Sequence, residues 1–89
     1  MKEEIFAVYD GAADRFMQPY FAPTVDHAIR SFRAACGREG EPFNEFPEDF
    51  SLWLIGDYDG AGGTVTGKVP TKIASASAFV LTHVQRAGS

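Results

Sequence analysis

Apolar residues dominate positions 4–10, where Ile5, Ala7 and Tyr9 fall on one side of an extended chain and Phe6 and Val8 on the other. Both sides are apolar, so the pattern predicts a central strand, ended by Asp10-Gly11. Residues 12–23 contain two prolines and no regular period. They read as an ordered loop pinned by Phe16, Tyr20 and Phe21, with a helical turn near 12–17 as the alternative. The period then changes. Val25, Ala28, Ile29, Phe32, Ala35 and Cys36 recur at spacings of three and four, which is one stripe of a helix. Thr24 is placed to cap its start, Asp26 suits the positive end of its dipole, and Gly37 offers a stop. Arg30 and Arg33 fall on the opposite face.

Residues 38–46 form a polar connection, and "PEDF" (47–50) reads as a single helical turn opened by Pro47. A strand follows over 51–59, with Leu52, Leu54 and Tyr58 on one side and Trp53 and Ile55 on the other. "GAGG" (60–63) turns the chain into a returning strand at 64–69. Pro70 is expected to break that strand, with a short strand at 71–75 after it. Residues 76–84 fit helix and strand equally, and 84–89 read as a loose tail. The 89 residues make a single domain, 1–89, of the α+β class. The expected architecture is a mainly antiparallel sheet of three or four strands with one principal helix packed on one face.

That architecture leaves a gap. Strands 4–10 and 51–58 are apolar on both faces, and one helix covers only one of them. The aromatic loop 12–23, the segment "FNEFPEDF" (43–50), a ligand or a second subunit must cover the other. The expectation is a packed lid over 43–50, with Phe43, Phe46 and Phe50 against the sheet edge and Glu45, Glu48 and Asp49 toward water. Sheet surface left over would drive a homo-oligomer, most simply a two-fold dimer. A small chain with a lone cysteine has neither a disulfide nor a Cys/His cluster to stabilise it, which points the same way.

Charge adds detail. The net charge is −4, but residues 39–59 hold seven acids and no base, whereas 60–89 hold three bases and no acid. An acidic middle repels phosphate, so any contact with nucleic acid needs a local basic patch. Arg30 and Arg33, with Arg15 or Arg38, could form one, although a solvated helix face is the plainer reading. Phe6, Tyr9, Trp53 and Tyr58 could form a stacking platform for single-stranded bases, or else core or subunit interface.

Catalytic and metal chemistry finds little to work with. "DYDGAGG" starts like a calcium loop, but Lys68 stands where the bidentate acid belongs. "TGKV" (66–69) lacks the hydroxyl and the helix of a phosphate-binding loop. Cys36 lies on the apolar stripe and reads as a structural thiol. Glu48 and Asp49 diverge by about 100° on a helix, a poor acid–base pair. No catalytic residue, cofactor or metal is expected. The N-terminus does not read as a signal peptide and no apolar stretch reaches the roughly 18 residues of a membrane helix, so the cytoplasm is the expected location.

The stretches "FAVYDGAADRFMQPYFAPTVDHAIRSFRAAC" and "PFNEFPEDFSLWLIGDYDGAGGTVT" together resemble the small nonstructural protein of gokushovirus-type microviruses, a phage ORF5-like family. The shared pattern is a strand ending "VYD", an aromatic-proline loop, a helix of the type A-I-R-x-F, a P-E-D segment and a strand ending in an acidic turn. It runs from about Phe6 to Phe79. The family often has His where Phe46 stands here. The resemblance implies a non-enzymatic accessory protein of the infected bacterial cytoplasm, absent from the virion. It also implies single-stranded-DNA binding during genome replication. Arg30 and Arg33 match positions of the pattern and come first for phosphate contact, with Lys68 and Lys72 second. The alternative is an oligomeric interaction module that engages a host or viral replication protein without binding DNA.

Overall fold

The computed structural model describes residues 2–80. Strand β1 (Lys2–Asp10) is paired on both edges, as its two apolar faces require. One edge is closed by two short strands, β2 (Arg15–Phe16) and β3 (Tyr20–Ala22). Along the other runs β4 (Phe50–Asp59), which in turn pairs with the edge strand β5 (Thr64–Ser75), and every pairing is antiparallel. The α+β class therefore holds, with the strand order β2-β1-β4-β5 and β3 beside β2 on β1. Helix α1 (Val25–Cys36) packs on one side of this sheet.

Local chemistry explains where α1 begins and ends. The Thr24 hydroxyl accepts the His27 backbone N–H at 3.1 Å, satisfying one of the free donors of the first turn. Gly37 ends it without using a left-handed conformation: its φ is −83°, and its N–H reaches back to the carbonyls of Arg33 and Ala34. The buried stripe of Ala28, Phe32 and Cys36 meets Phe6, Val8, Phe50 and Leu52 of the sheet, and these residues form the core. Phe6, Leu52 and Cys36 are fully buried. Burial pushes the Cys36 thiol up to about 11 from its ordinary value near 9, so it stays protonated and inert at neutral pH.

The segment after α1 is more ordered than a polar connection. Pro42 opens a short helix, α2 (Pro42–Glu45), and Pro47 opens a 3₁₀ turn, Pro47–Asp49. The Asn44 side-chain amide donates to the Cys36 carbonyl at 2.9 Å and ties α2 to the end of α1. Phe43 packs between Phe32 and Phe50, with ring centroids 5.7 and 4.9 Å away. The expected lid is thus only partly correct. Phe43 and Phe50 join the core beneath the helix, not the second face, and Phe46 points outward, 59% exposed.

Three further expectations are corrected. Residues 12–23, expected to be an ordered loop, contain the two short strands β2 and β3, and the alternative helical turn at 12–17 does not form. Asp10 Oδ1 accepts the N–H groups of Ala12 and Ala13, Asp14 turns through a φ of 57°, and the chain then pairs back onto β1 as β2. Pro70 does not break the last strand, which runs unbroken from Thr64 to Ser75. It sits on the outer edge of the sheet, where a missing N–H removes no ladder bond, and at a bulge where Lys68, Val69 and Pro70 stand opposite the single Ile55. Tyr58 does not share a face with Leu52 and Leu54. In the β1–β4 ladder Phe6 opposes Leu54 and Ile5 opposes Gly56, so Ile55 is an extra residue. That bulge inverts the alternation and places Tyr58 on the side of Ile5. Of the segment 76–84, Ala76–Phe79 is a 3₁₀ turn whose Phe79 ring meets Phe32, and residues 81–84, like the tail 84–89, lie outside the described residues.

Two glycines at the bulge make a paired test. A Cβ on Gly56 would lie 2.6 Å from the Thr66 carbonyl oxygen, whereas one on Gly67 meets nothing within 4 Å. Gly56→Ala is expected to lower the urea midpoint by the equivalent of about 1–3 kcal/mol, and Gly67→Ala to change stability by less than about 1 kcal/mol. A thiol-reactive probe at pH 8 is expected to leave Cys36 untouched in the folded protein and to modify it at once in denaturant.

Candidate functional site: the outer face of the sheet

The face away from α1 follows directly from the strand registers. Tyr9 opposes Phe16, Ile5 opposes Phe21, Ala7 opposes Trp53, and Tyr58 opposes Val65, so all of these share the outer side. Aromatic rings gather in two groups. Near the end of β1, Tyr9, Phe16 and Trp53 form a triangle with centroid separations of 5.0, 5.9 and 6.4 Å. Near its start, Phe21 meets Tyr58 edge-on at 5.3 Å. Between the groups Ile5 and Ala7 are buried. The aromatic loop therefore supplies part of the cover that the second face needs, and a second subunit is not required to bury these two residues. The rings themselves stay open to solvent, with Phe16 40% and Phe21 49% exposed and Tyr9, Trp53 and Tyr58 half-buried.

Hydrogen bonds fix two of the rings. The Trp53 indole N–H donates to Ser51 Oγ at 2.8 Å, two positions back on the same side of β4. The Tyr9 hydroxyl donates a hydrogen bond to Asp14 Oδ1 at the rim. That bond to a carboxylate, more than burial, holds the Tyr9 phenol above its ordinary value near 10. Polar anchoring of this kind leaves the ring faces oriented and available, which suits stacking against flat apolar groups.

The cations singled out in the sequence do not converge on this face. Arg30 and Arg33 are exposed on α1, on the far side of the sheet, and the Arg33 guanidinium lies over the Phe79 ring at 5.5 Å. Lys68 reaches Asp57 at 3.4 Å and Glu4 at 3.8 Å, whose register positions belong to the helix side. Lys72 opposes Trp53 and is exposed, so it alone of the four shares the aromatic face. Phe6 leaves the platform altogether, since it is fully buried under α1. Phe16 and Phe21 join it, having been read only as loop pins. Their signal was latent in the spacing: a tight turn after Asp10 lets odd positions of β1 face them, but segments of two and three residues carry no period of their own.

The acidic turn has a structural occupation. Asp59 Oδ1 accepts the Ala61 N–H at 3.0 Å, and its carbonyl accepts from Gly63 at 2.8 Å, closing the β4–β5 turn. Among the described residues no three His, Cys, Asp or Glu side chains converge on a common point, and no helix is long and apolar enough to cross a membrane.

These features define a class: a small antiparallel sheet with one helix on one face and a half-open aromatic layer on the other. Within that class the chain belongs to the Phage ORF5 protein family, whose sequence pattern matches residues 3–79, and it is a bacteriophage protein. No curated protein and no solved structure matches it.

An alkaline absorbance titration tests the rim. Tyr9 is expected to ionise later than a free tyrosine, and Asp14→Asn to bring it back toward 10. The unfolded chain releases this proton first, so the stabilisation is fully present below pH 10 and is lost as pH rises through the folded-state value. Tyr9→Phe identifies the phenol by removing the late-ionising fraction.

Proposed function

We propose that this phage protein is a non-enzymatic accessory factor that binds single-stranded DNA on the outer face of its sheet. The observation that carries the reading is the aromatic layer: Tyr9, Phe16 and Trp53 within 6.4 Å of one another, and Phe21 with Tyr58 beyond Ile5 and Ala7. Unpaired bases offer flat apolar faces to such rings whatever their sequence, and a duplex hides them. Lys72, beside Trp53, is the phosphate contact on that face. The resemblance to the gokushovirus nonstructural proteins supports a place in genome replication, in the cytoplasm of the infected bacterium and outside the virion.

With the rings so arranged, stacking supplies most of the affinity and phosphate neutralisation little of it. Fluorescence anisotropy with a labelled oligonucleotide should find binding that prefers a single strand to a duplex. Its salt dependence should be shallow, with a log–log slope near −0.7 for each phosphate neutralised and about one such contact. Trp53→Ala should weaken binding by about 1–3 kcal/mol. Arg30→Glu with Arg33→Glu, on the far surface, should leave it within about twofold. No binding at tens of micromolar protein, or loss of binding through the two arginines alone, overturns the reading.

A second reading rests on charge. The chain carries a net charge of −4, and residues 39–59 have no base to attract phosphate. On this reading the apolar sheet face engages a host or viral replication protein and DNA plays no part. Partner binding by the wild type that Trp53→Ala weakens, with no oligonucleotide binding by the wild type, separates the two.

A further inference from the structure

We infer that the outer face holds a single strand at two separate base sites, one at each aromatic group, so that its ligand unit is a short oligonucleotide long enough to reach both. This rests on the single-stranded-DNA reading above and adds the length and layout of the ligand. The two groups are not one continuous shelf. Phe16 opposes Tyr9, and Phe21 opposes Ile5, four positions back along β1. A strand rises about 3.3 Å per residue, which sets the groups about 13 Å apart. Between them lie Ile5 and Ala7, which offer no ring and are 6% and 1% exposed. A base can stack at either end and finds nothing to stack on in the middle.

Each group is also shaped for one base rather than a run of them. The planes of Phe16 and Trp53 meet at 87°, and those of Phe21 and Tyr58 at 88°. Such a pair makes a corner, and a flat base laid on one ring is stopped by the other. The distance between the corners then fixes the length of the ligand. Stacked bases advance about 3.4 Å each and an extended strand about twice that, so about two to four steps cover the gap and about three to five nucleotides reach both corners. A dinucleotide is too short to do so.

The corners differ in charge, and a second bulge is the cause. Leu52 opposes Ala74 and Trp53 opposes Lys72, so Ile73 is an extra residue of β5. Ile73 packs against the core, and the inserted residue turns Lys72 to the outer side beside Trp53. Without it the alternation would bring Ile73 out and send Lys72 in. At the other corner Tyr58 stands opposite Glu3 in β1 and Val65 in β5, with no cation in either register position. The Trp53 corner therefore takes a base together with a phosphate, and the Tyr58 corner takes a base alone.

Anisotropy titrations of the full chain with labelled oligothymidylates of increasing length test this. Affinity is expected to step up by about tenfold or more between two and five nucleotides, as the second corner is engaged by a tethered base, and to change by less than about threefold per protein bound beyond that. A pentamer whose middle three residues are abasic should bind like the intact pentamer, and one lacking either terminal base should fall to the level of the dinucleotide. Phe21→Ala, at an exposed position, should lower pentamer binding to that same level while leaving dinucleotide binding within about twofold. A smooth rise with length, equal losses from middle and terminal abasic residues, or a pentamer indifferent to Phe21→Ala overturns the two-site inference and leaves the stacking face standing. Absence of binding at every length overturns both.

Discussion

One additional residue in β4 decides what the outer surface of this protein is made of. Ile55 has no partner of its own in β1, and beyond it every side chain of β4 changes sides. Without that insertion Tyr58 would lie on the helix side, and Asp57 would project among the aromatic rings. With it, Tyr58 faces Phe21, and Asp57 turns inward to Lys68. The same place demands glycine, since the Thr66 carbonyl comes within 2.6 Å of where a Cβ on Gly56 would be. The apolar layer and the ion pairs are thus sorted to opposite faces by backbone geometry, and only then by side-chain chemistry.

The two faces divide the physical work. The helix side holds the largest fully buried side chains, Phe6, Leu52 and Cys36, and so carries most of the folding free energy, which in a domain this small leaves a narrow margin. The outer side is half-covered by rings, Phe16 and Phe21 from the short strands β2 and β3 and Tyr9, Trp53 and Tyr58 from β1 and β4, and they remain reachable. Cations are kept mostly away from those rings, on α1 or in contact with Glu4 and Asp57. A surface of this composition favours contacts that depend on shape and apolar area more than on ionic strength.

How much of this could be read in the sequence depends on the element. α1 was legible in full because its stripe, its cap and its stop all agree. β1 was legible as a central strand, but not which face the helix would take, because Phe6 and Val8 are no more apolar than Ile5 and Ala7. Phe6 was therefore placed on a platform from which the fold removes it. The inversion at Ile55 was signalled only by Gly56, a lone glycine inside a strand pattern, which marks a bulge without fixing its consequence. Pro70 misled because proline excludes a central strand, and edge status is a property of the whole sheet that no local window contains. The outward Phe46 was hidden for a similar reason: its neighbours Phe43 and Phe50 both go inside, and spacing alone does not separate the three.

The construction of β5 has a consequence for crowding. An exposed edge strand invites other chains to add to it, and stacked assemblies of that kind need about six or seven uninterrupted residues of strand-forming sequence. On this edge Lys68 and Pro70 divide the strand into Thr64–Gly67 and Thr71–Ser75, both shorter than that, and Val69, although 86% exposed, is caught between that lysine and Pro70 within the bulge. The greasiest spot on the rim is therefore also the one least able to template a fibril.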